Sequence, residues 1–235
     1  MKFPIARDKV VVILGPTTSG KSRLSIEIAS KFPSEIINSD KIQVYKGLDI
    51  TSNKISLEEQ LGVPHHLLGT IDSSSPDEIS TAQYRSWDSL LISEINNRGN
   101  LPTVVGMLNE LAEFHRSERK GMHQPYKGLA KAIGVQEFEE YFKRYASETN
   151  VLEGDEVQRR MYEEAVKAIK ENTCELARRQ AEKINFLKSK GWNITILDGT
   201  YSLQALMDGS KSWFNTWETQ VLEPSVKIVK SFLKA

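Results

Sequence analysis

Val10-Val-Val-Ile-Leu14 runs into Gly15-Pro-Thr-Thr-Ser-Gly-Lys-Ser22, and from there through Leu24, Ile28, Ala29 and Phe32 to Ile36-Ile-Asn-Ser-Asp40. The middle segment fits G-x-x-x-x-G-K-[ST]. Its glycines let backbone N–H groups close around phosphate oxygens at the start of a helix, while the lysine and the hydroxyl serve phosphate and Mg²⁺. A flexible Gly/Ser/Thr turn is the alternative. The flanks favour the phosphate loop: five apolar residues precede Gly15, as in a buried parallel strand, and the later apolar residues recur at helical spacing. Gly15, Thr17, Thr18, Ser19, Gly20, Lys21 and Ser22 are therefore the candidate phosphate residues, with Ser22 on the Mg²⁺ side. Ser39 and Asp40 follow a second short apolar strand, at the carboxyl end of a parallel sheet, where ligands of open α/β folds sit.

Asn38-Ser-Asp-Lys-Ile-Gln-Val-Tyr-Lys-Gly-Leu-Asp-Ile50, Thr51-Ser-Asn-Lys54 and Gly62-Val-Pro-His-His-Leu-Leu-Gly69 resemble the isopentenyltransferase family, and within it the plant adenylate isopentenyltransferases of cytokinin biosynthesis. The resemblance implies a P-loop nucleoside-triphosphate-hydrolase-like α/β fold, a parallel sheet flanked by helices with a helical C-terminal part, in one domain over residues 1–235. It implies an enzyme that moves the dimethylallyl group of dimethylallyl diphosphate to N6 of adenine in AMP, ADP or ATP. The loop would hold the diphosphate, and Asp40 would work on the adenine amine. Ser39, Lys41 and Lys54 belong to the same motif blocks and are candidates for the nucleotide side. The tRNA-modifying branch usually has serine where this chain has Lys41, which favours a free nucleotide over tRNA as partner.

Composition narrows the field. Lys plus Arg and Asp plus Glu both number 31, so no global basic field draws the chain to nucleic acid or an anionic membrane. The single cysteine, Cys174, excludes an internal disulfide and a cysteine-paired zinc finger. No apolar run reaches the roughly 18 residues of a membrane span. Met1 to Lys9 leaves no room for a transit peptide before the first strand, so the expected location as written is cytoplasmic, or plastid if a presequence is missing.

Further along, His65-His66 reads as a loop pair rather than a metal site, because adjacent residues point apart on a strand. Ser75, Pro76 and Glu78 form a capping signal for a helix whose inner face is Ile79, Ala82, Trp87, Leu90, Leu91 and Ile95, ending at Gly99. Arg85 lies off that stripe and reads as a surface ion pair. Leu101 to Val105 is a third strand, and Asn193 to Leu197 a fourth. Asp198 at its end is structural.

The resemblance breaks after Val105. The family's Gly-Gly-Ser/Thr-Asn motif, helical insertion and next central strand are missing, and the residues from Gly106 to His115 resemble a helix well downstream. The resemblance thus implies that a central strand and insertion are deleted between about Val105 and Met107. In the block from Lys127 to Val135 the family's basic pair is reduced to Ala130 and Lys131. Lys131 is either a point charge for a diphosphate or a solvated helix-start lysine. From Glu153 to about Gly191 the chain is helical, with Val157, Met161, Ala165, Ile169, Leu176, Ile184 and Leu187 on one face. Its block Asn172 to Gln180 resembles the family's C-terminal signature, in which a basic pair, here Arg178 and Arg179, and a glutamine approach the substrate nucleotide. Trp217 to Leu233 is a closing helix interrupted at Pro224, with Val226, Val229 and Phe232 or Leu233 inward, and the loop from Arg116 to Tyr126 is the candidate for local mobility. Three activities remain: the adenylate or tRNA dimethylallyl transferase, a phosphate-loop kinase, and a truncated, inactive family member.

Overall fold

The computed structural model describes residues 9–73, 79–106, 128–145 and 156–235. The expected cap at Ser75 to Glu78, the helix after Gly106 and the loop from Arg116 to Tyr126 lie outside these residues.

Strand β1 (Val11–Leu14) leads through the glycine loop into helix α1 (Lys21–Ala29) and strand β2 (Ser34–Ser39). Next come the two-residue strand β3 (His65–His66), helix α2 (Thr81–Asn97) and strand β4 (Leu101–Gly106). All four strands are parallel in the order β1-β4-β2-β3, an α/β sheet with its connections made by helices. Residues of opposite parity face opposite layers. Ile36 and Val105 meet Ile26 of α1, whereas Ile37 and Val104 pack against Tyr84 and Ile95 of α2.

The C-terminal part is helical. A 3₁₀ turn (Gly128–Lys131) precedes α3 (Glu139–Tyr145) and the long α4 (Glu156–Ser189), followed by α5 (Thr200–Met207) and α6 (Trp213–Trp217). A π turn (Glu218–Leu222) joins α6 to α7 (Glu223–Lys234). Trp217, Val221, Leu222, Val229 and Leu233 close over Leu24 and Ile28 of α1 and Phe32 just beyond it in one cluster. The C-terminal helices are thereby fixed to the helix that begins at the phosphate loop.

Several expectations are corrected. Asn193 to Leu197 forms no strand; Ile196 stays exposed and Gly199 is held against Val221 and Trp217 instead. Strand preference is realised only by pairing. His65-His66, expected in a loop, pairs with Ile36 and Ile37 as the sheet edge. Tertiary bonds make it a strand: Ile36 N–H donates to the Pro64 carbonyl at 2.9 Å, and His66 Nε2 lies 2.7 Å from Glu35 Oε2. Glu35 also accepts from Arg98 at 2.8 and 3.0 Å and from Asn100 at 2.8 Å, which holds its carboxyl down at about 2 with the Arg98 bond as the main cause. Helix α2 is capped by Ser80, whose hydroxyl accepts from Gln83 N–H in a reciprocal capping box. Its inner face is rotated from the expected stripe: Tyr84 is fully buried, while Leu90 is 58% exposed and Ala82 also faces out. On α4, Val157 is exposed and the buried positions include Gln158 and Gln180. Pro224 does not interrupt the closing helix. It occupies the first turn of α7, where its missing N–H is tolerated, and the preceding π turn takes up the misfit. Val229 and Leu233 point inward as expected, and Phe232 does not.

Candidate phosphate-binding and catalytic site

The loop between β1 and α1 is strongly turned. Thr18 has φ 62° and Gly20 φ 83°, both left-handed. Glycine is required at position 20, because a Cβ there would stand 2.8 Å from the Trp217 ring in a backbone conformation that side chains already disfavour. Lys21 Nζ donates to the Pro16 carbonyl at 2.7 Å, so the ammonium folds back across the loop. Burial pulls its pKa from 10.5 to about 8, against a smaller upward pull from the Asp40 charge.

Asp40 faces the loop from the end of β2. Buried Asn38 sets up that strand end: its Nδ2 donates to the carbonyls of Leu67 at 2.8 Å and Asp40 at 3.1 Å, and Tyr84 Oη donates to its own carbonyl at 2.5 Å. Asp40 Oδ1 accepts from Ile42 N–H at 2.9 Å. Burial pushes the Asp40 carboxyl above the ordinary aspartate value; bonds from the Ile42 and Gln43 amides and the charges of Lys21 and Lys54 pull the other way. A shifted carboxylate and a shifted lysine across one cavity are the pattern of a working site.

That cavity measures about 480 Å³. Thr17, Thr18, Ser19, Gly20, Lys21 and Ser22 line one side, Asp40 and Gln43 another, and Leu203, Leu206, Trp213 and Trp217 give it an apolar wall. A smaller cavity of about 380 Å³ lies at the opposite end of β2, beside a Glu35 already saturated by hydrogen bonds.

The remaining candidates are placed as follows. Gly15 stands at the loop entrance, where a Cβ would meet Ser19 Oγ at 2.5 Å. Ser39 lies at the end of β2 opposite Gly106. Lys41 Nζ donates to Thr81 Oγ1 at 2.9 Å, directed to α2 rather than the cavity. Lys54 Nζ donates to the Gly47 carbonyl and pairs with Asp49 at 2.7 Å, contributing to the site through its charge on Asp40. Lys131 sits in the 3₁₀ turn and does not line the cavity. Arg178 and Arg179 are exposed and both pair with Glu175, the latter at 2.8 Å. Asp198 is structural, its Oδ1 accepting from Thr200 N–H at 2.9 Å and Thr200 Oγ1 at 2.6 Å to open α5.

Arg23 and Glu27 escaped the sequence reading, and Gln180, expected from the resemblance near the substrate nucleotide, meets the phosphate loop instead. Arg23 lies 4.6 Å from the Trp213 ring centre and pairs with Glu27 at 2.9 Å. Glu27 in turn accepts from Trp217 Nε1 at 2.6 Å, which ties the aromatic wall to α1. Gln180 Oε1 accepts from Thr17 N–H at 2.8 Å. Trp217 was read only as the start of a closing helix, which did not say what it covers, and the glutamine signature did not say which part of the site Gln180 meets.

Among the described residues, no three His, Cys, Asp or Glu side chains are grouped to hold a metal. The oxygen donors at the loop itself are the hydroxyls of Thr17, Thr18, Ser19 and Ser22, with the Asp40 carboxylate facing them in the same cavity. Hard oxygen donors of this kind fit Mg²⁺, which keeps water and takes ligands from substrate phosphates.

A strand, a glycine loop closing on a helix start, and a carboxylate at the next strand end define a phosphate-loop α/β protein. A family model described as IPP transferase matches residues 43–107. The chain is 39% identical to adenylate isopentenyltransferase 1, chloroplastic, of Arabidopsis thaliana, over 97% of this chain and 82% of that protein. It is 40% identical to the adenylate isopentenyltransferase of Humulus lupulus, over 94% and 89%. The chain belongs to the isopentenyltransferase family, a family of transferases. A solved tRNA isopentenylpyrophosphate transferase of Bacillus halodurans is 23% identical, with a TM-score of 0.43 over 97% of this chain and 86% of that one. The Arabidopsis alignment runs over 293 positions against the 235 residues here, so at least 58 of them face gaps in this chain. No helix among the described residues is long and apolar enough to cross a membrane.

Proposed function

We propose that this chain transfers the dimethylallyl group of dimethylallyl diphosphate to N6 of adenine in AMP, ADP or ATP, the cytokinin-forming reaction. The observation that carries the reading is the opposition of the phosphate-loop Lys21 and the strand-end Asp40 across one cavity, where burial shifts both groups. The adenine amine is a weak nucleophile because its lone pair is delocalised into the ring. As N6 bonds to the allylic carbon, the C–O bond breaks, its electron pair leaves on the diphosphate, and the N6 proton passes to the Asp40 carboxylate. Lys21 and the loop amides stabilise the charge gathering on the leaving group. Ser22 would hold Mg²⁺, which would supply further charge neutralisation.

Supporting this reading over the kinase is the Asn38-Ser39-Asp40 end of β2, which phosphate transfer from a loop-bound nucleotide does not call for. The names of the matched relatives support a free adenylate over tRNA. We place the gap of at least 58 positions near Gly106, where the family's substrate-covering block would begin. Water then has freer access to the allylic carbon, and turnover is low with some dimethylallyl alcohol formed. Purified chain incubated with Mg²⁺, dimethylallyl diphosphate and AMP is expected to yield a product heavier than AMP by one dimethylallyl group in place of hydrogen, read by mass spectrometry. Phosphate transfer or ATP hydrolysis with no prenylated nucleotide would support the kinase instead, and no product of any kind the inactive member.

The Lys21 shift gives this function a pH signature. An ammonium titrating near 8 is charged at pH 7 and largely neutral at pH 9. Affinity for inorganic pyrophosphate is therefore expected to fall as pH rises through 8, with calorimetry in two buffers showing proton uptake on binding. A flat profile from pH 7 to 9 would remove Lys21 from the anion site.

A further inference from the structure

Helix α4 is rich in Glu, Lys and Arg and largely wet, yet Gln180 within it is only 1% exposed. A buried amide costs free energy unless its polar atoms are bonded. Here the Oε1 acceptor is spent on the Thr17 N–H at 2.8 Å, across 163 residues of chain. Thr17 sits at the tightest part of the phosphate loop, directly before the left-handed Thr18.

A left-handed threonine is strained and persists only where its surroundings hold it. Inside the loop, Ser19 N–H reaches the Pro16 carbonyl at a long 3.3 Å, the Lys21 ammonium shares that carbonyl, and Thr18 Oγ1 donates to the Thr17 carbonyl at 2.6 Å, but none of these bonds takes the Thr17 N–H. Among the described residues, the Gln180 amide is what holds the Thr17 N–H from outside the loop.

We propose that Gln180 is a positioning residue for the anion site, holding the Thr17 peptide so that the loop is shaped for a diphosphate before one arrives. The inference rests on the phosphate-loop reading above. It also makes α4, the helix of Arg178 and Arg179, a mechanical neighbour of the loop although those arginines do not line the cavity. A ligand that shifts α4 would be felt at Thr17, and a diphosphate in the loop would be felt along α4.

Two variants separate positioning from bulk packing. Gln180→Met keeps the length and removes the acceptor; Gln180→Glu keeps an acceptor for Thr17 and adds charge near the anion. Loss of one buried hydrogen bond that shapes the loop is expected to weaken inorganic pyrophosphate binding to Gln180→Met by about five- to tenfold in calorimetry. Exchange of the Thr17 amide hydrogen should accelerate in Gln180→Met and stay protected in Gln180→Glu, with the amides of α4 unchanged in both. Wild-type affinity in Gln180→Met overturns the proposal, as does free exchange of Thr17 in Gln180→Glu. If the wild-type chain itself fails to bind pyrophosphate, the phosphate-loop reading falls and takes this inference with it; if it binds and only the variants disobey, the inference alone falls.

Discussion

Asp40→Asn is expected to lower prenyl transfer by about 10²–10⁴-fold, the usual contribution of a positioned base, without lowering the melting temperature at pH 7. The two halves of this result have one cause. Burial at the end of β2 raises the Asp40 pKa above its ordinary 3.8, so the folded state binds the proton more readily than the unfolded chain does. Keeping the carboxylate charged therefore costs stability, and that cost appears as pH rises from the ordinary value through the raised one. An asparagine removes the cost while its oxygen can still accept from Ile42 N–H. The same shift places the acid limb of the wild-type rate profile above the range of an unperturbed aspartate, since the base works only when ionised. Single-turnover rates with dimethylallyl diphosphate and AMP, with thermal melts of both proteins, give the answer. A variant with wild-type rate would take the proton-acceptor role from Asp40; one that is inactive because it no longer melts cooperatively would make Asp40 a structural residue.

Gly106→Ala is expected to damage both fold and site. Gly106 ends β4 directly across from Ser39, and a Cβ built on it would lie 2.5 Å from Ser39 Cβ and 2.6 Å from the Ser39 carbonyl oxygen. Two of the three nearest atoms are backbone, so no rotamer change relieves the clash and the ends of β2 and β4 must part. Overpacking of this kind costs about 1–3 kcal/mol. The displaced residue is the one before Asp40, and a misplacement of about 1 Å at a reacting group can cost about 10²-fold in rate. Urea unfolding and the transfer assay should therefore fall together. Stability and rate both within error of wild type would mean that the strand ends are already apart in solution, and that Gly106 does not position the site.

The phosphate loop, α1 and the strands on either side could be read from sequence because their determinants are local. Gly20 must be left-handed, Lys21 and Ser22 must follow it, and the apolar run before Gly15 must be a buried strand. Asp40 could be found for the same reason: it closes a short apolar run at the carboxyl end of a parallel sheet. The extent of α4 was legible from its periodicity, and the resemblance put the glutamine of the Asn172 to Gln180 block near the substrate, but the burial of Gln158 and Gln180 was not legible, since both break the apolar pattern and meet Tyr141 Oη and Thr17 N–H through tertiary packing. Asn193 to Leu197 shows the converse. Its residues have strand character, but a strand exists only in a ladder, and here the segment runs without one into α5. His65-His66 gained a ladder because Glu35 and Pro64 brought it to Ile36 and Ile37. The sequence by itself determined where an anion and a base sit along the chain, as consequences of spacing over a few residues. Tertiary structure decided what surrounds them: a wall of Trp213 and Trp217 clamped to α1 through Arg23 and Glu27, and a glutamine some 160 residues away fastened to the loop, because contacts between distant segments depend on how helices pack and leave no mark in local pattern.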